Sequence, residues 1–291
     1  MKRILVPTDF SDNALKAATY AVEVATRTGA SVHLLHASGI GHDKFTRPVS
    51  IYEKYNNLVL DESNEKLQKL RAVLEDNYPG ISFFTEVEPE QHTVDAIKAY
   101  VDEHHIDLVI MGTKGASGIK SVLMGSTAAS TISDSKVPVL TLPSHFIPSP
   151  PGEVLLAINH FNEDPFRVDS FMDILNAFSS TLHVVLFINP TKTDIADQVF
   201  QREKHDEYVH FIKKQYPGLE VEARVLEGDS LEDALELYSL QNDIDIISLI
   251  SHRPGFFDRI FLKSTTRNMT FHSRIPVLAI PGNVVGERTR I

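Results

Sequence analysis

Between Met111 and Thr127 the chain reads M-G-T-K-G-A-S-G-I-K-S-V-L-M-G-S-T. These residue types in this order suit an anion. Gly112 and Gly115 tolerate positive φ and let the backbone approach a ligand closely. Gly125-Ser126-Thr127 would open a helix whose first amides and hydroxyls lack partners within it. Phosphate is the natural guest. A tight strand-to-helix connection needs one or two glycines, so three at this spacing followed by Ser-Thr favour binding over a plain turn. Asp9, after Pro7 and Thr8, adds a carboxylate that either stands beside the expected ligand crevice or merely caps a helix starting near Asp12. Lys114 and Lys120 are either phosphate contacts or solvated loop lysines. A P-loop is excluded, because Ser117 stands five residues after Gly112 and no Gly-Lys-Ser/Thr follows; Gly-x-Gly-x-x-Gly is absent too.

Such a loop works only at the carboxyl edge of a sheet, and the surrounding periodicity supplies one. Ile4-Leu5-Val6, Ser31 to Ala37, Ile81 to Val87, Asp107 to Met111 and Val137 to Leu142 read as strands. Between them lie helices: one after Asp12 closed by Gly29, one over roughly Ile51 to Asn77 stopped by Tyr78-Pro79-Gly80, one from Thr93 to His104-His105, and one to about Ser135. Strands alternating with helices predict a parallel, doubly wound α/β sheet with helices on both faces. Ligands bind such sheets at the carboxyl ends of the strands.

The order then repeats. After the proline-dense stretch 144–152, taken as a semi-rigid linker, come strands at Val154 to Ile158, Leu182 to Phe187, Leu219 to Val225, Ile244 to Ile250 and Ile275 to Ile280. Helices carry Phe171, Ile174, Leu175 and Phe178, then Asp194 to Gln215, then Ser230 to Leu240. Tyr216-Pro217-Gly218 echoes Tyr78-Pro79-Gly80, and Pro276-Val277-Leu278 echoes Pro138-Val139-Leu140. The reading is two tandem domains, 1–143 and 153–281, each with a five-stranded parallel sheet, and a tail over 282–291.

Composition bounds the function. A net charge of -11 over 291 residues argues against nucleic-acid binding. No cysteine is present, which excludes disulfides and thiolate metal sites. The start, Met1-Lys2-Arg3-Ile4-Leu5-Val6-Pro7, is too soon interrupted for a secretory leader, and no apolar run spans a membrane, so a cytoplasmic location is expected. The 13 histidines are poorly spaced for a metal: His33 and His36 face opposite sides of a strand, and His205 and His210 are five apart on a helix.

Three motifs together carry a family resemblance: Val6-Pro7-Thr8-Asp9-Phe10-Ser11, the spacing Gly112-x2-Gly115-x9-Gly125-Ser126, and the closing Val137-Pro138-Val139-Leu140. The chain resembles a tandem universal stress protein from Lys2 to about Pro281. The resemblance implies a Rossmann-like fold similar to adenine nucleotide alpha hydrolases, and ATP, with Mg²⁺ carried by the nucleotide, in the first half. In ATP-binding members, residues matching Asp9 and Ala37 hold ribose and adenine. Those matching Met111, Gly112 and Gly115 line the nucleotide, and those matching Gly125, Ser126 and Thr127 bind phosphates; Pro7, Thr8 and Thr113 flank these positions. It also implies an intrachain pseudo-dimer paired through Val137 to Leu142 and Val277 to Ile280, and leaves further association into homodimers open. In the second half Ser251, Pro254, Ser264 and Thr265 stand where the first half has Gly112, Gly115, Gly125 and Ser126, and His160 stands at the position of Asp9, so nucleotide is expected in the first half only. The expected function is an ATP-binding regulatory protein of the stress response with an unidentified protein partner. The alternatives are a slow ATPase or phosphotransferase, for which no base is identifiable, and a ligand-free interaction scaffold.

Overall fold

In the computed structural model of the chain, residues 1–39, 49–89, 92–113, 125–158, 169–251 and 275–281 are described. They form two compact units, Met1–Ser149 and Pro150–Ile291. In the first, the order is β1 (Arg3–Pro7), α1 (Asp12–Thr28), β2 (Ser31–Ala37), α2 (Val49–Asn77), β3 (Phe83–Glu88), α3 (Thr93–Glu103), β4 (Leu108–Gly112), α4 (Ser126–Asp134) and β5 (Val139–Leu142). All strand pairs are parallel and the order across the sheet is β3-β2-β1-β4-β5. Succession therefore runs outward from β1 in one direction through β2 and β3, then resumes on its other side with β4. Such a reversal opens a crevice at the carboxyl ends of β1 and β4.

Past the exposed Arg3, the central strands carry apolar runs because both faces are covered: Ile4, Leu5, Val6, Leu108, Val109 and Ile110 are fully buried. The helix α1 packs on β1, β2 and β4, and α3 packs on α4. Its boundaries have local causes. Ser11 caps α1 by accepting the Ala14 N–H at 3.2 Å, and Gly29 ends it in the left-handed conformation, φ 72°. The outer face of α2 is charged, with the pairs Glu62–Lys66, Glu65–Lys69 and Arg71–Glu75 one turn apart.

The second unit repeats the plan with β6 (Glu153–Ile158), α5 (Asp169–Phe178), β7 (Thr181–Ile188), α6 (Ile195–Gln215), β8 (Glu220–Glu227), α7 (Leu231–Gln241), β9 (Ile246–Ser251) and β10 (Val277–Pro281). Its strands are again parallel, in the order β8-β7-β6-β9-β10. Two α/β units with doubly wound parallel sheets are thus present, as the periodicity predicts. Asp194 and Ser230 cap α6 and α7 through Asp197 N–H and Asp233 N–H.

The ladders correct one alignment. Val139 lies beside Val109 and Gly112 beside Leu142, while Val277 lies beside Ile247 and Ile280 beside Ile250. With Pro138 and Pro276 equivalent, the residue matching Gly112 is Ile250, and Ser251 matches Thr113. Ser251 therefore stands one position beyond the one expected for it, because strands aligned by their apolar pattern alone lack the pairing that sets register.

Candidate nucleotide site

A cavity of about 330 Å³ lies at the carboxyl edge of the first sheet, at the reversal between β1 and β4. The end of β1 and the turn after it contribute Pro7, Thr8 and Asp9, and the end of β2 contributes Leu35 and Ala37. From β4 and just beyond come Met111, Gly112 and Thr113, and from the start of α4 come Gly125, Ser126 and Thr127. Every described residue expected at the site lines this one cavity. Gly115, like Lys114, Lys120 and the rest of the loop 114–124, lies outside the described residues. So do His160, Pro254, Ser264 and Thr265 of the second half.

Each position follows from its element. Gly125 is the N-cap of α4 and has no side chain to cap it, so among the described residues no capping side chain takes the first amides of that helix, and Ser126 and Thr127 are exposed beside them. The Gly125 N–H donates to the Thr113 carbonyl at 2.6 Å, and a Cβ at Gly125 would come within 3.1 Å of that oxygen. Gly112 is needed for a different reason. A Cβ there would come within 2.7 Å of the Asn13 side chain, which lies over the strand and donates to the Leu142 carbonyl at 3.4 Å. Thr113 continues the ladder by donating to the Leu142 carbonyl at 2.9 Å.

Asp9 is exposed at the cavity and is not the cap of α1; that role belongs to Ser11. Its Oδ1 accepts the Ser11 N–H at 3.0 Å, closing a local turn. Asp9 is the one ionisable side chain among the described lining residues, so the carboxylate end and the helix-terminus end of the cavity differ in polarity. This asymmetry matches a ligand with hydroxyls at one end and phosphates at the other.

Sequence reasoning missed Ala14, Leu35, Thr93, Ile97 and Ala128, which also line the cavity. Thr93 and Ile97 were readable in principle, because α3 starts where β3 ends and so begins at the same carboxyl edge. The histidines have other partners. His33 is buried, bonded to Tyr100 Oη at 3.0 Å and to Ser31 Oγ at 3.1 Å. Its counterpart His183 meets Tyr238 Oη at 2.8 Å and Glu153 at 2.6 Å, and His205 Nε2 donates to the Val184 carbonyl at 3.0 Å. Among the described residues no three His, Asp or Glu side chains converge on a metal position, and no helix is long and apolar enough to cross a membrane.

The profile of the Universal stress protein family matches the chain twice, over residues 1–143 and 154–281. The chain belongs to the universal stress protein family. Universal stress protein MJ0531 of Methanocaldococcus jannaschii is 29% identical over 141 residues, 48% of this chain and 81% of that protein. Universal stress protein MJ0577 of the same organism is 26% identical over 156 residues, 48% of this chain and 94% of that protein. A crystal structure of a universal stress protein from Archaeoglobus fulgidus superposes with a TM-score of 0.65, covering 96% of this chain and 98% of that one at 20% identity. The last likeness spans both halves and establishes that the tandem fold is shared. In this universal stress protein the cavity, the Asp9 turn and the Gly125 helix start all fall within the first matched segment.

Proposed function

We propose that this tandem universal stress protein binds ATP in its first half and acts as a nucleotide-dependent regulatory protein in a stress response. One observation carries the reading: Asp9, Ala37, Gly112 and the uncapped start of α4 line a single cavity at the sheet reversal. Its volume, about 330 Å³, lies within the range of small-molecule sites. Asp9 and Ala37 would hold ribose and adenine, Met111, Gly112 and Gly115 would flank the nucleotide, and Gly125, Ser126 and Thr127 would hold phosphate. Mg²⁺ would arrive with the nucleotide and be held chiefly by phosphate oxygens and water. The residues fit this assignment because Gly112 and Gly125 keep side chains out where the chain is crowded, and the helix start offers donors rather than acceptors to phosphate.

The test is direct. Native protein is purified without added nucleotide and gently denatured, and the released small molecules are identified by mass spectrometry. An adenine nucleotide in the supernatant, together with a rise in melting temperature when ATP and Mg²⁺ are added, is the expected result. No adenine nucleotide and no shift with ATP, ADP or AMP would overturn the reading in favour of a ligand-free scaffold.

A further inference from the structure

The carboxylate at the ribose end of the cavity stands on a turn that the chain must hold by force. Phe10, directly after Asp9, has φ 62°, a left-handed conformation that a bulky non-glycine residue adopts only when its surroundings over-determine it. Four contacts do so. Thr8 N–H donates to the Leu35 carbonyl at 2.8 Å, and Phe10 N–H donates to Thr8 Oγ1 at 3.1 Å. The other two come from one side chain, His36 of β2. Its ring lies 4.5 Å from the Phe10 ring, centroid to centroid, and its Nδ1 is 2.7 Å from the Thr8 carbonyl oxygen. A carbonyl only accepts, so Nδ1 carries the hydrogen.

We propose that His36 is a positioning residue for the nucleotide site: by clamping the Thr8 carbonyl and the Phe10 ring it holds the strained turn, and through the turn the Asp9 carboxylate, where ribose hydroxyls are read. The proposal rests on the nucleotide reading above and adds that ribose recognition is controlled from β2. His36 itself does not line the cavity, whereas its neighbour Ala37 does.

The experiment compares two ligands on the full chain: ATP, and 2′,3′-dideoxy-ATP, which lacks the hydroxyls that Asp9 would bind. Affinities are measured by titration calorimetry for the wild type, His36→Leu and His36→Asn. Leucine removes the donor and keeps apolar volume; the asparagine amide places an N–H near the position of Nδ1. The expected result is that His36→Leu loses ATP affinity by about tenfold, the scale of a hydrogen bond to a charged group. Its dideoxy-ATP affinity stays unchanged, so the discrimination ratio collapses, and His36→Asn restores it. In His36→Leu the Phe10 and Ser11 amides also exchange faster, with no nucleotide present, than in His36→Asn. Should the leucine variant not fold, Phe10→Ala is read on the same ratio, which should fall. Equal loss of both affinities, as from general loosening, or a ratio retained in His36→Leu, would overturn the proposal. Wild type that binds neither nucleotide refutes the nucleotide reading and this inference with it, whereas wild type that discriminates while His36→Leu does so equally refutes this inference alone.

Discussion

A methyl group at residue 112 has nowhere to go. The Asn13 side chain occupies the space where a Cβ would stand, with its Cγ at 2.7 Å and its backbone carbon at 3.2 Å, so the helix backbone as well as a side chain would have to yield. Gly112→Ala is therefore expected to destabilise the protein by about 1–3 kcal/mol, the scale of overpacking. A lowered urea midpoint at unchanged m-value checks this. A buried histidine gives a second prediction at this scale. Burial, and then the charges of His104 and Arg3, bring the His33 pKa down from 6.5 to about 4. Its bonding partners, Tyr100 and Ser31, are both neutral hydroxyls, and burial pushes Tyr100 up to about 12. Between these two histidine pKa values the unfolded chain binds more protons than the fold, so stability is complete above pH 6.5 and falls as pH drops towards 4. The loss across that window is up to about 3 kcal/mol. Urea midpoints at about pH 7.5 and about pH 5 should differ for the wild type and differ less for His33→Gln.

At the scale of elements, one aspartate starts each sheet. Asp107 accepts the N–H groups of Lys2 at 2.6 Å and Arg3 at 3.0 Å, and Asp245 accepts those of Gly152 at 2.7 Å and Glu153 at 3.0 Å. Each carboxylate ties the entry of a central strand to the strand that lands beside it much later. Loss of such a clamp near the surface costs about 1 kcal/mol. Asp245→Ala should lower the urea midpoint accordingly and speed amide exchange at Gly152 and Glu153, whereas Asp245→Asn, which keeps an acceptor oxygen, should change exchange less. The same aspartates explain where strand limits were misjudged. The sequence suggested strands from Asp107 and Ile244, but β4 and β9 begin after the aspartates, whose side chains are engaged in the clamps. Val137-Pro138 was likewise expected in β5, which starts at Val139: Pro138 has no N–H for the ladder, although its carbonyl accepts from Val109 at 2.9 Å. Periodicity showed which of the described segments are strands and helices. The left-handed Phe10 and the His36 contact were not legible, because no glycine marks the turn and the partners are brought together only by parallel pairing of β1 and β2.

At the scale of the whole chain, the repeat contains its own comparison. The two sheets share strand order, and the ladders make Gly112 and Ile250 equivalent. Ile250 is buried, so in the second unit a branched side chain occupies the strand position that in the first must be bare to admit Asn13 at the cavity edge. If the nucleotide requires that bare position, each chain binds one molecule. Calorimetric titration with ATP should then give a stoichiometry of one per chain. Gly112→Ile, which gives the first half the residue of the second, should abolish all binding and leave no residual site. Native mass spectrometry reads the same answer as a single mass increment of one nucleotide. Two bound nucleotides per chain, or half the capacity surviving in Gly112→Ile, would mean that the second unit binds as well and that the glycine-to-isoleucine change between the halves does not decide where nucleotide goes.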